Sequence, residues 1–225
     1  MKLVTRCALT LAYAWSAVAL GSTTADASLG NVSKVNGSVR VEAGQQAGSV
    51  STVNGSVTIG ADARTGEVET VNGSVRIEER AIVDDVETVN GGISVAAGVE
   101  VRGDLETVNG SITLREGVRV AGSLENVNGD MLLEGAEVQE GIETVNGDIR
   151  LAAGTRVLGG IHVEENRNIS WFGSKKNGRN PRITVESGAV VQGPLHFERE
   201  VDLYVAPGVT LPEVQGVPPK RYTLN

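Results

Sequence analysis

Short runs of alternating apolar and polar residues fill most of the chain, and one run returns at a fixed period. Seven near copies read KVNGSVRV, TVNGSVTI, TVNGSVRI, TVNGGISV, TVNGSITL, NVNGDMLL and TVNGDIRL. Their shared asparagines are Asn36, Asn54, Asn72, Asn90, Asn109, Asn128 and Asn146, at steps of 18 or 19 residues. So short a period indicates a repeat architecture in which each unit packs on its neighbours.

Each period contains three apolar segments separated by corners, and this number decides between two architectures. In the fifth copy the segments are residues 105–108, 111–114 and 117–120. Asn-Gly between β-branched residues is also typical of a β-hairpin, but a hairpin meander needs an even number of strands per repeat. Three segments instead predict one turn of a parallel solenoid, whose strands pair with their counterparts one coil away.

The predicted fold is therefore all-β: a triangular, single-stranded parallel β-helix of about nine coils. Third-segment patterns at residues 187–195 and 207–216 continue the coils beyond the last Asn-Gly pair. A right-handed winding follows from the general preference of parallel crossovers, although left-handed hexapeptide helices also use coils of about 18 residues. We predict a solenoid domain over residues 28–217 and a C-terminal cap over 218–225, where Pro218 and Pro219 cannot donate to a ladder.

The repeated Asn-Gly pair predicts a structural corner ladder. Stacked coils place equivalent residues about 4.8 Å apart, so the Asn side chains are expected to hydrogen-bond along their column. The Gly that follows is expected to supply a corner with positive φ. These glycines are Gly37, Gly55, Gly73, Gly91, Gly110, Gly129 and Gly147.

The first 27 residues have the pattern of a cleaved secretory signal peptide. Lys2 and Arg6 precede a mostly apolar run, and residues 25–27 read ADA, a small-residue cleavage site. Cys7, the single cysteine, would leave with this leader, so the exported chain would have no disulfide. No later apolar run is long enough to span a membrane. We expect an exported protein that is periplasmic, associated with the outer surface or secreted.

Charge and composition narrow the set of partners. The formal net charge is −8, and the loss of Lys2, Arg6 and Asp26 with the leader would leave −9. Nucleic acid is not an expected partner, because binding to phosphates requires a basic face. Aromatic residues are 3% of the chain, and a core of Val and Ile fits strands better than a core of large rings.

Strings such as ETVNGSI, VRGDLETVNG and VESGAVVQG resemble the adhesin-type β-solenoid domains of bacterial exported proteins. They are also similar to the bactofilins, polymer-forming cytoskeletal proteins with a triangular right-handed β-helix. The resemblance covers most of residues 31–216 and implies the fold. It implies either an envelope module or a self-assembling scaffold, and neither family implies a catalytic residue. Bactofilins are typically cytoplasmic or bound to the inner membrane face, whereas this chain begins with a predicted leader.

A column of acidic residues follows the repeat: Glu69, Glu87, Glu106, Glu125 and Glu143. Stacked carboxylates repel one another unless cations or basic groups lie beside them, so a calcium-binding or partner-binding face is one hypothesis. We favour a solvated outward face that keeps the rod soluble, because carboxylates alone do not form a closed oxygen cage. The neighbouring threonines are Thr52, Thr70, Thr88, Thr107 and Thr144. They raise an ice-binding hypothesis, which the intervening Glu and Asn residues disfavour.

Residues 166–182 break the repeat and read NRNISWFGSKKNGRNPR, with five basic residues and no acidic one. Trp171 and Phe172 are followed by Lys175, Lys176 and Arg179. A Trp ring can stack on a sugar ring, while Lys and Arg side chains form charge-assisted hydrogen bonds with anionic groups. We therefore predict that this loop binds envelope polysaccharide, anionic lipid or the Glu column of a second copy. The alternative is an insertion whose aromatic residues only cover the side of the solenoid.

The segments IHVEE and LHFER place a His-x-Glu pair on each side of this loop. The pairs are His162 with Glu164, and His196 with Glu198. If adjacent coils carry them, they are weak candidates for binding zinc or another divalent ion, and the alternative is an exposed polar ladder. No cofactor is assigned. The two glutamates also match the carboxylate pair of glycoside hydrolases, but no other catalytic motif accompanies them.

Together these features predict an exported, adhesin-like structural or binding module of the bacterial envelope that is not an enzyme. It would present a repetitive surface and the basic, Trp-containing loop to a partner. Two alternatives stay open. One is a self-assembling, bactofilin-like scaffold, and the other is a polysaccharide-active β-helix enzyme.

Overall fold

A computed structural model confirms the solenoid predicted from the repeat. The structure describes residues 28–165 and 179–224; the predicted leader and residues 166–178 lie outside this part. The described residues form 26 strands and no helix, in parallel sheets that wind through about nine turns. Among these residues there is accordingly no helix of the length and apolarity that a membrane span requires.

The strands form three sheets, one along each side of the solenoid. Sheet I contains β1 (Val32–Asn36), β3 (Val50–Asn54), β5 (Val68–Asn72), β8 (Val86–Asn90), β11 (Leu105–Asn109), β14 (Ser123–Asn128), β17 (Gly141–Thr144), β20 (Gly160–Val163), β23 (Leu195–Phe197) and β25 (Val214–Gly216). Sheet II contains β2 (Val39–Val41), β4 (Val57–Ile59), β6 (Val75–Ile77), β9 (Ile93–Val95), β12 (Ile112–Leu114), β15 (Met131–Leu133), β18 (Ile149–Leu151), β21 (Arg182–Val185), β24 (Asp202–Val205) and β26 (Lys220–Thr223). Sheet III contains β7 (Ile82–Val83), β10 (Glu100–Val101), β13 (Arg119–Val120), β16 (Glu137–Val138), β19 (Arg156–Val157) and β22 (Val190–Val191).

Each strand pairs in register with its counterpart one coil away, so equivalent positions form columns. Glu106, for example, lies opposite Glu87 on one side and Glu125 on the other. We number the coils from the N-terminus. Coils 1–7 have the Asn-Gly corner, coil 7 contains β17–β19, coil 8 contains β20–β22, and coil 9 contains β23 and β24.

The core is a stack of aliphatic side chains that point inward from all three sheets. In β6, for example, Val75 and Ile77 are fully buried, whereas Arg76 between them is exposed. Sheet III contributes one buried side chain per strand, such as Val101 and Val120. Full burial of one such side chain contributes about 1.5–3 kcal/mol, so each coil adds several favourable contacts to its neighbours.

The corner glycines are required mainly because successive coils approach closely. Gly37 and Gly129 have a positive φ, 105° and 142°. The prediction of positive φ is wrong for Gly55, Gly73, Gly91, Gly110 and Gly147. A Cβ atom on Gly73 would collide with the carbonyl oxygen of Gly55 one coil below. Only a residue without a side chain fits between corner backbones at this distance.

Positive φ recurs instead at the turn between sheets II and III. The glycines at this turn with φ between 65° and 83° are Gly44, Gly98, Gly117, Gly135, Gly154, Gly188 and Gly208. Asp62 and Arg80 hold the same position in coils 2 and 3, with φ of 60° and 56°. Nη2 of Arg80 lies 2.8 Å from Oδ2 of Asp62, so an ion pair joins the two strained positions.

Two columns of polar side chains hold the Asn-Gly corner together. From Asn54 to Asn146, each corner Asn donates from Nδ2 to Oδ1 of the Asn one coil before, at 3.0–3.1 Å. Inside the corner, the hydroxyls of Thr70 and Thr88 donate to the carbonyls of the preceding glycines at 2.9 and 3.0 Å. Both threonines are fully buried, so their column cannot act as an ice-binding face.

The C-terminal residues extend the sheets. β25 pairs with β23, and β26 pairs with β24. Residues 220–223 of the predicted cap therefore form the last strand of sheet II, directly after Pro218 and Pro219. Residues 207–213 form no strand, so sheet III ends with β22 in coil 8.

Candidate functional site

The regular corner ends at coil 8. Residues 145–148 connect sheet I to sheet II in coil 7, whereas residues 164–182 make this connection in coil 8. Among residues 28–165 and 179–224, the ladder of paired Asn side chains runs no further than Asn146. Arg199 of coil 9 lies over this position, where its Nη1 donates to Oδ1 of Asn146 at 2.9 Å and to the carbonyl of Val145 at 3.3 Å. A guanidinium thus contacts the ladder at its last described Asn.

Two arginines attach the C-terminal end of this longer connection to the solenoid. Nη2 of Arg179 lies 2.8 Å from Oδ2 of Asp148, and the N–H of Arg182 donates to Oδ1 of the same side chain at 2.8 Å. The Arg182 guanidinium lies 5.0 Å from the ring centre of Tyr204. That ring stacks on Tyr222 with a centroid distance of 4.6 Å.

Of the residues predicted to bind a partner through the loop, Arg179 is the one that the structure describes. Its ion pair with Asp148 gives it an anchoring contact within the chain. The others lie outside the described residues: Trp171, Phe172, Lys175 and Lys176.

The Glu column is not the solvated face that we predicted from the sequence. Glu69, Glu87, Glu106 and Glu125 are only 6–8% exposed, and Glu143 is half-buried. They lie in register along the outward side of sheet I. Because the coils stack about 4.8 Å apart, each carboxylate side chain is covered by the ones above and below it.

Burial changes the protonation of this column at coil 3. Loss of hydration raises the pKa of Glu69 to about 8, and a hydrogen bond with Glu67 together with the charges of Glu67 and Glu87 adds to the rise. A carboxyl group with this pKa is largely protonated at neutral pH. This end of the column therefore carries less negative charge than its composition indicates.

The same column changes from carboxylate to imidazole at coil 8. His162 pairs with Glu143 of coil 7 on one side and with His196 of coil 9 on the other. Gln215 follows in β25. The two imidazole centres are 5.0 Å apart with their planes at 68°. The structure thus brings together the two histidines that the sequence placed on either side of the loop.

A second outward column changes at the same two coils. Val145 directly follows the last paired residue of β17, and the equivalent positions in coils 8 and 9 are Glu164 and Glu198. The backbone N–H of Glu164 donates to the carbonyl of Thr144 at 2.9 Å, and that of Glu198 donates to Val163 at 2.8 Å. Both carboxylates are half-buried beside the imidazoles.

The distances within this His-Glu cluster are short. Nε2 of His162 lies 3.5 Å from Oε1 of Glu198, and its Nδ1 lies 4.0 Å from Oε1 of Glu143. One ligand atom from each of His162, His196 and Glu198 lies within 4.8 Å of the others, and so do those of Glu143, His162 and Glu164. Imidazole and carboxylate groups at such spacing can share a cation or a proton.

An open groove gives access to the cluster. Its lining includes Glu140, Gly141, Glu143, Gly160, His162 and His196. Gly141 and Gly160 pair in register where coil 6 has Ser123. Because these two positions have no side chain, the flank of the histidines is open to small solutes.

Part of this arrangement was readable in the sequence. The segments GIET, GIHV and PLHF align at residues 141–144, 160–163 and 194–197, and this alignment places the histidines in the Glu column. The two His-x-Glu pairs alone do not indicate this column, because the register depends on how the coils align across residues 165–181. Nothing in the sequence indicated the depth of the carboxylates, since it follows from side chains that stack between coils.

Comparisons with known proteins assign no family. No family model, no curated protein and no solved structure matches the chain. The resemblance to adhesin-type solenoids and bactofilins thus stays a prediction from the sequence.

Proposed function

We propose that the chain is an exported, non-catalytic binding module of a bacterial envelope. Its solenoid body serves as a stiff support, and the 164–182 connection is presented to an anionic envelope polymer. One observation carries this proposal: the departures from the repeat are concentrated at coils 8 and 9, where the Asn ladder ends and two outward columns change their chemistry.

Stacking accounts for most repeated positions in coils 1–7. The Asn ladder, the buried Thr hydroxyls and the corner glycines all serve contacts between coils. The period of the repeat does not account for residues 166–181, which include Arg167, Lys175 and Lys176 in a chain of net charge −8. Long connections in an otherwise regular scaffold often carry function.

The attachment of this connection to the solenoid supports its role in presenting a binding surface to a partner. Arg179 and Arg182 both contact Asp148, so the last side chain of the coil 7 corner also holds the C-terminal end of the insertion. An attached end reduces the conformational entropy that the segment would lose on binding.

The experiment compares a triple variant, Trp171→Ala with Lys175→Ala and Lys176→Ala, with the unchanged chain from residue 28 onward. The probes are isolated cell-wall polysaccharide and vesicles that contain phosphatidylglycerol, in co-sedimentation at low and high salt. We expect the variant to lose binding to at least one probe while its circular dichroism and unfolding midpoint stay unchanged.

A matched control removes two basic residues from the solenoid body, Arg76→Ala with Arg119→Ala. Both side chains are exposed, and we expect this control to bind as the unchanged chain does. Equal binding by all three proteins, or equal losses in both variants, would contradict the proposed role of the loop.

Self-assembly into a scaffold is the second candidate, and the strand order favours it. Among the described residues, β1 and β2 at one end, and β25 and β26 at the other, each pair with a strand on one side only. Exposed strand edges are templates for pairing with a second chain. Light scattering with negative-stain images distinguishes the two: filaments that persist in the loop variant support the scaffold, and a monomeric rod at all salt concentrations rejects it.

A further inference from the structure

We propose that His162, His196 and Glu198 bind a divalent transition-metal cation, with zinc as the best match. This site lies on the outward side of sheet I in coils 8 and 9. The inference is independent of the proposed function, because it uses no residue of the 166–178 segment.

Backbone register builds the site. His162 and His196 are direct neighbours in adjacent strands, and Glu198 lies two residues after His196 on the same outward side. Alternate residues of a strand face the same way, so the three side chains converge without any rearrangement of the coils. The rigid ladder therefore fixes the ligands on secondary structure.

The separation of one pair of ligand atoms fits a tetrahedral ion. Nε2 of His162 and Oε1 of Glu198 are 3.5 Å apart. Two ligands bound at about 2.0–2.1 Å with a tetrahedral angle would be about 3.4 Å apart. Oε2 of Glu198 accepts a hydrogen bond from the N–H of Glu165 at 3.0 Å. This bond holds the carboxylate so that its other oxygen lies toward the imidazole.

The Nε2 atom of His162 provides a second, independent observation. It is inaccessible to solvent and accepts or donates no hydrogen bond among the described residues, and Oε1 of Glu198 lies 3.5 Å away. Buried polar atoms in proteins nearly always have a partner. A cation between the imidazole and the carboxylate would supply one.

The donor set selects the class of metal. Two imidazoles and one carboxylate are typical of zinc and related first-row divalent ions, and calcium prefers six to eight oxygen ligands. On the opposite ring edge, Nδ1 of His162 lies 4.0 Å from Oε1 of Glu143. At this distance the carboxylate lies near the ring without a hydrogen bond to it.

The test uses the chain from residue 28 onward, which contains the whole described solenoid, without an affinity tag and freed of metal by a chelator. Zn²⁺ is titrated by calorimetry, and Co²⁺ is used in parallel because its visible spectrum reports tetrahedral coordination. We expect one equivalent to bind. We expect His162→Gln and His196→Gln each to weaken binding at least tenfold, since these are the only histidines of the chain.

Glutamate variants identify the third ligand. Glu198→Gln should weaken Zn²⁺ binding at least tenfold, whereas Glu164→Gln should change it less than about threefold. Glu116→Gln is the matched control, because this exposed carboxylate lies in another column, and it should bind as the unchanged chain does. Thermal unfolding in chelator checks that every variant retains the fold.

Three results would overturn the assignment. The first is the absence of saturable binding to the unchanged chain. The second is binding that survives both His substitutions, and the third is a loss in Glu164→Gln that exceeds the loss in Glu198→Gln.

Discussion

Coils 1–7 and coils 8–9 have the same core but differ in what their outward side chains do. In the first group, the outward position of sheet I is a buried Glu in coils 3–6, and the corner carries a hydrogen-bonded Asn. In the second group, the same position is His162 and His196, and the Asn corner is replaced by residues 164–182. The inward positions continue unchanged, as buried Ile161 and Leu195 show.

This difference gives a criterion for distinguishing structural from functional residues in a solenoid. A residue that returns in every coil has an explanation in its own stacking, because equivalent side chains lie about 4.8 Å apart. Stacking does not explain a residue that replaces the usual side chain of an outward column while the inward side chains of the core stay aliphatic. The variants below test whether coils 1–7 obey the stacking rule as strictly as this account requires.

The largest effect is expected at a corner glycine. Gly73→Ala would bring a Cβ atom into the carbonyl oxygen of Gly55, and backbone on both sides cannot retreat without breaking ladder bonds. We expect a loss of about 3 kcal/mol or more in the free energy of unfolding, measured by urea denaturation. Gly66→Ala, just before β5, is the control, since its nearest contact would be an ordinary 3.4 Å and the loss should stay below about 1 kcal/mol. Similar losses in both variants would contradict the close-approach argument.

The next effect is a dependence of stability on pH. The pKa of Glu69 is raised to about 8 in the folded chain from an ordinary value of 4.5. The folded state therefore holds a proton that the unfolded state releases, and stability falls as pH rises from 4.5 to about 8. We expect a loss of up to a few kcal/mol over this range.

Glu69→Gln removes this titration and should flatten the pH dependence of the urea midpoint, with a gain in stability above pH 8. Glu116→Gln, at an exposed position, should leave the dependence unchanged. A Glu69→Gln profile as steep as that of the unchanged chain would show that the column is ionised and hydrated.

A smaller effect is expected inside the corner. The fully buried hydroxyl of Thr88 donates to the carbonyl of Gly73 at 3.0 Å. Thr88→Val keeps the shape of the side chain but leaves that carbonyl without this donor, at a cost of about 2 kcal/mol. Thr88→Ser retains the hydroxyl, and its unfolding free energy should lie between those of the Val variant and the unchanged chain. If the Val variant were as stable as the unchanged chain, the Thr column would have no role in holding the corner.

The smallest effect is expected in the exposed Asn ladder. Asn90 donates to Asn72 and accepts from Asn109, so Asn90→Ala breaks two solvated hydrogen bonds at a cost of about 1 kcal/mol. Arg199→Ala removes the closure of the ladder at Asn146 and should cost less. Hydrogen exchange should show faster exchange around Asn90 in the first variant and around residues 145–148 in the second. An effect of Arg199→Ala on the middle coils would contradict the local character of this closure.

The sequence was sufficient to predict the architecture because the repeat leaves little freedom. A period of 18 or 19 residues with three apolar segments fits a three-sided coil, and the Asn column fits a ladder. The conformation of Gly73 was not predictable from its type, since glycine serves both positive φ and close approach. The burial of Glu87 and Glu106 was also not predictable from the sequence, because it depends on the stacking of neighbouring side chains.

The His-Glu cluster was predictable only in part. The pairs in IHVEE and LHFER indicated a shared face, and the structure brings His162 within 3.5 Å of Glu198. The proximity of Glu143 to His162 required the register between β17 and β20. Residues 165–195 separate the two His-x-Glu pairs in the chain, so spacing alone could not give their distance.

We propose that the repeated residues of coils 1–7 serve the stability of the solenoid and that the 164–182 connection binds the envelope partner. The most direct test replaces residues 164–182 with Val-Asn-Gly-Asp, the corner of coil 7, and measures co-sedimentation with cell-wall polysaccharide and with phosphatidylglycerol vesicles. We predict a chain that unfolds at the same or a higher urea concentration, since a short corner costs less closure entropy, and that no longer binds the probe that the unchanged chain binds. A replaced chain that binds as strongly as the original, or that fails to fold, would contradict this proposal.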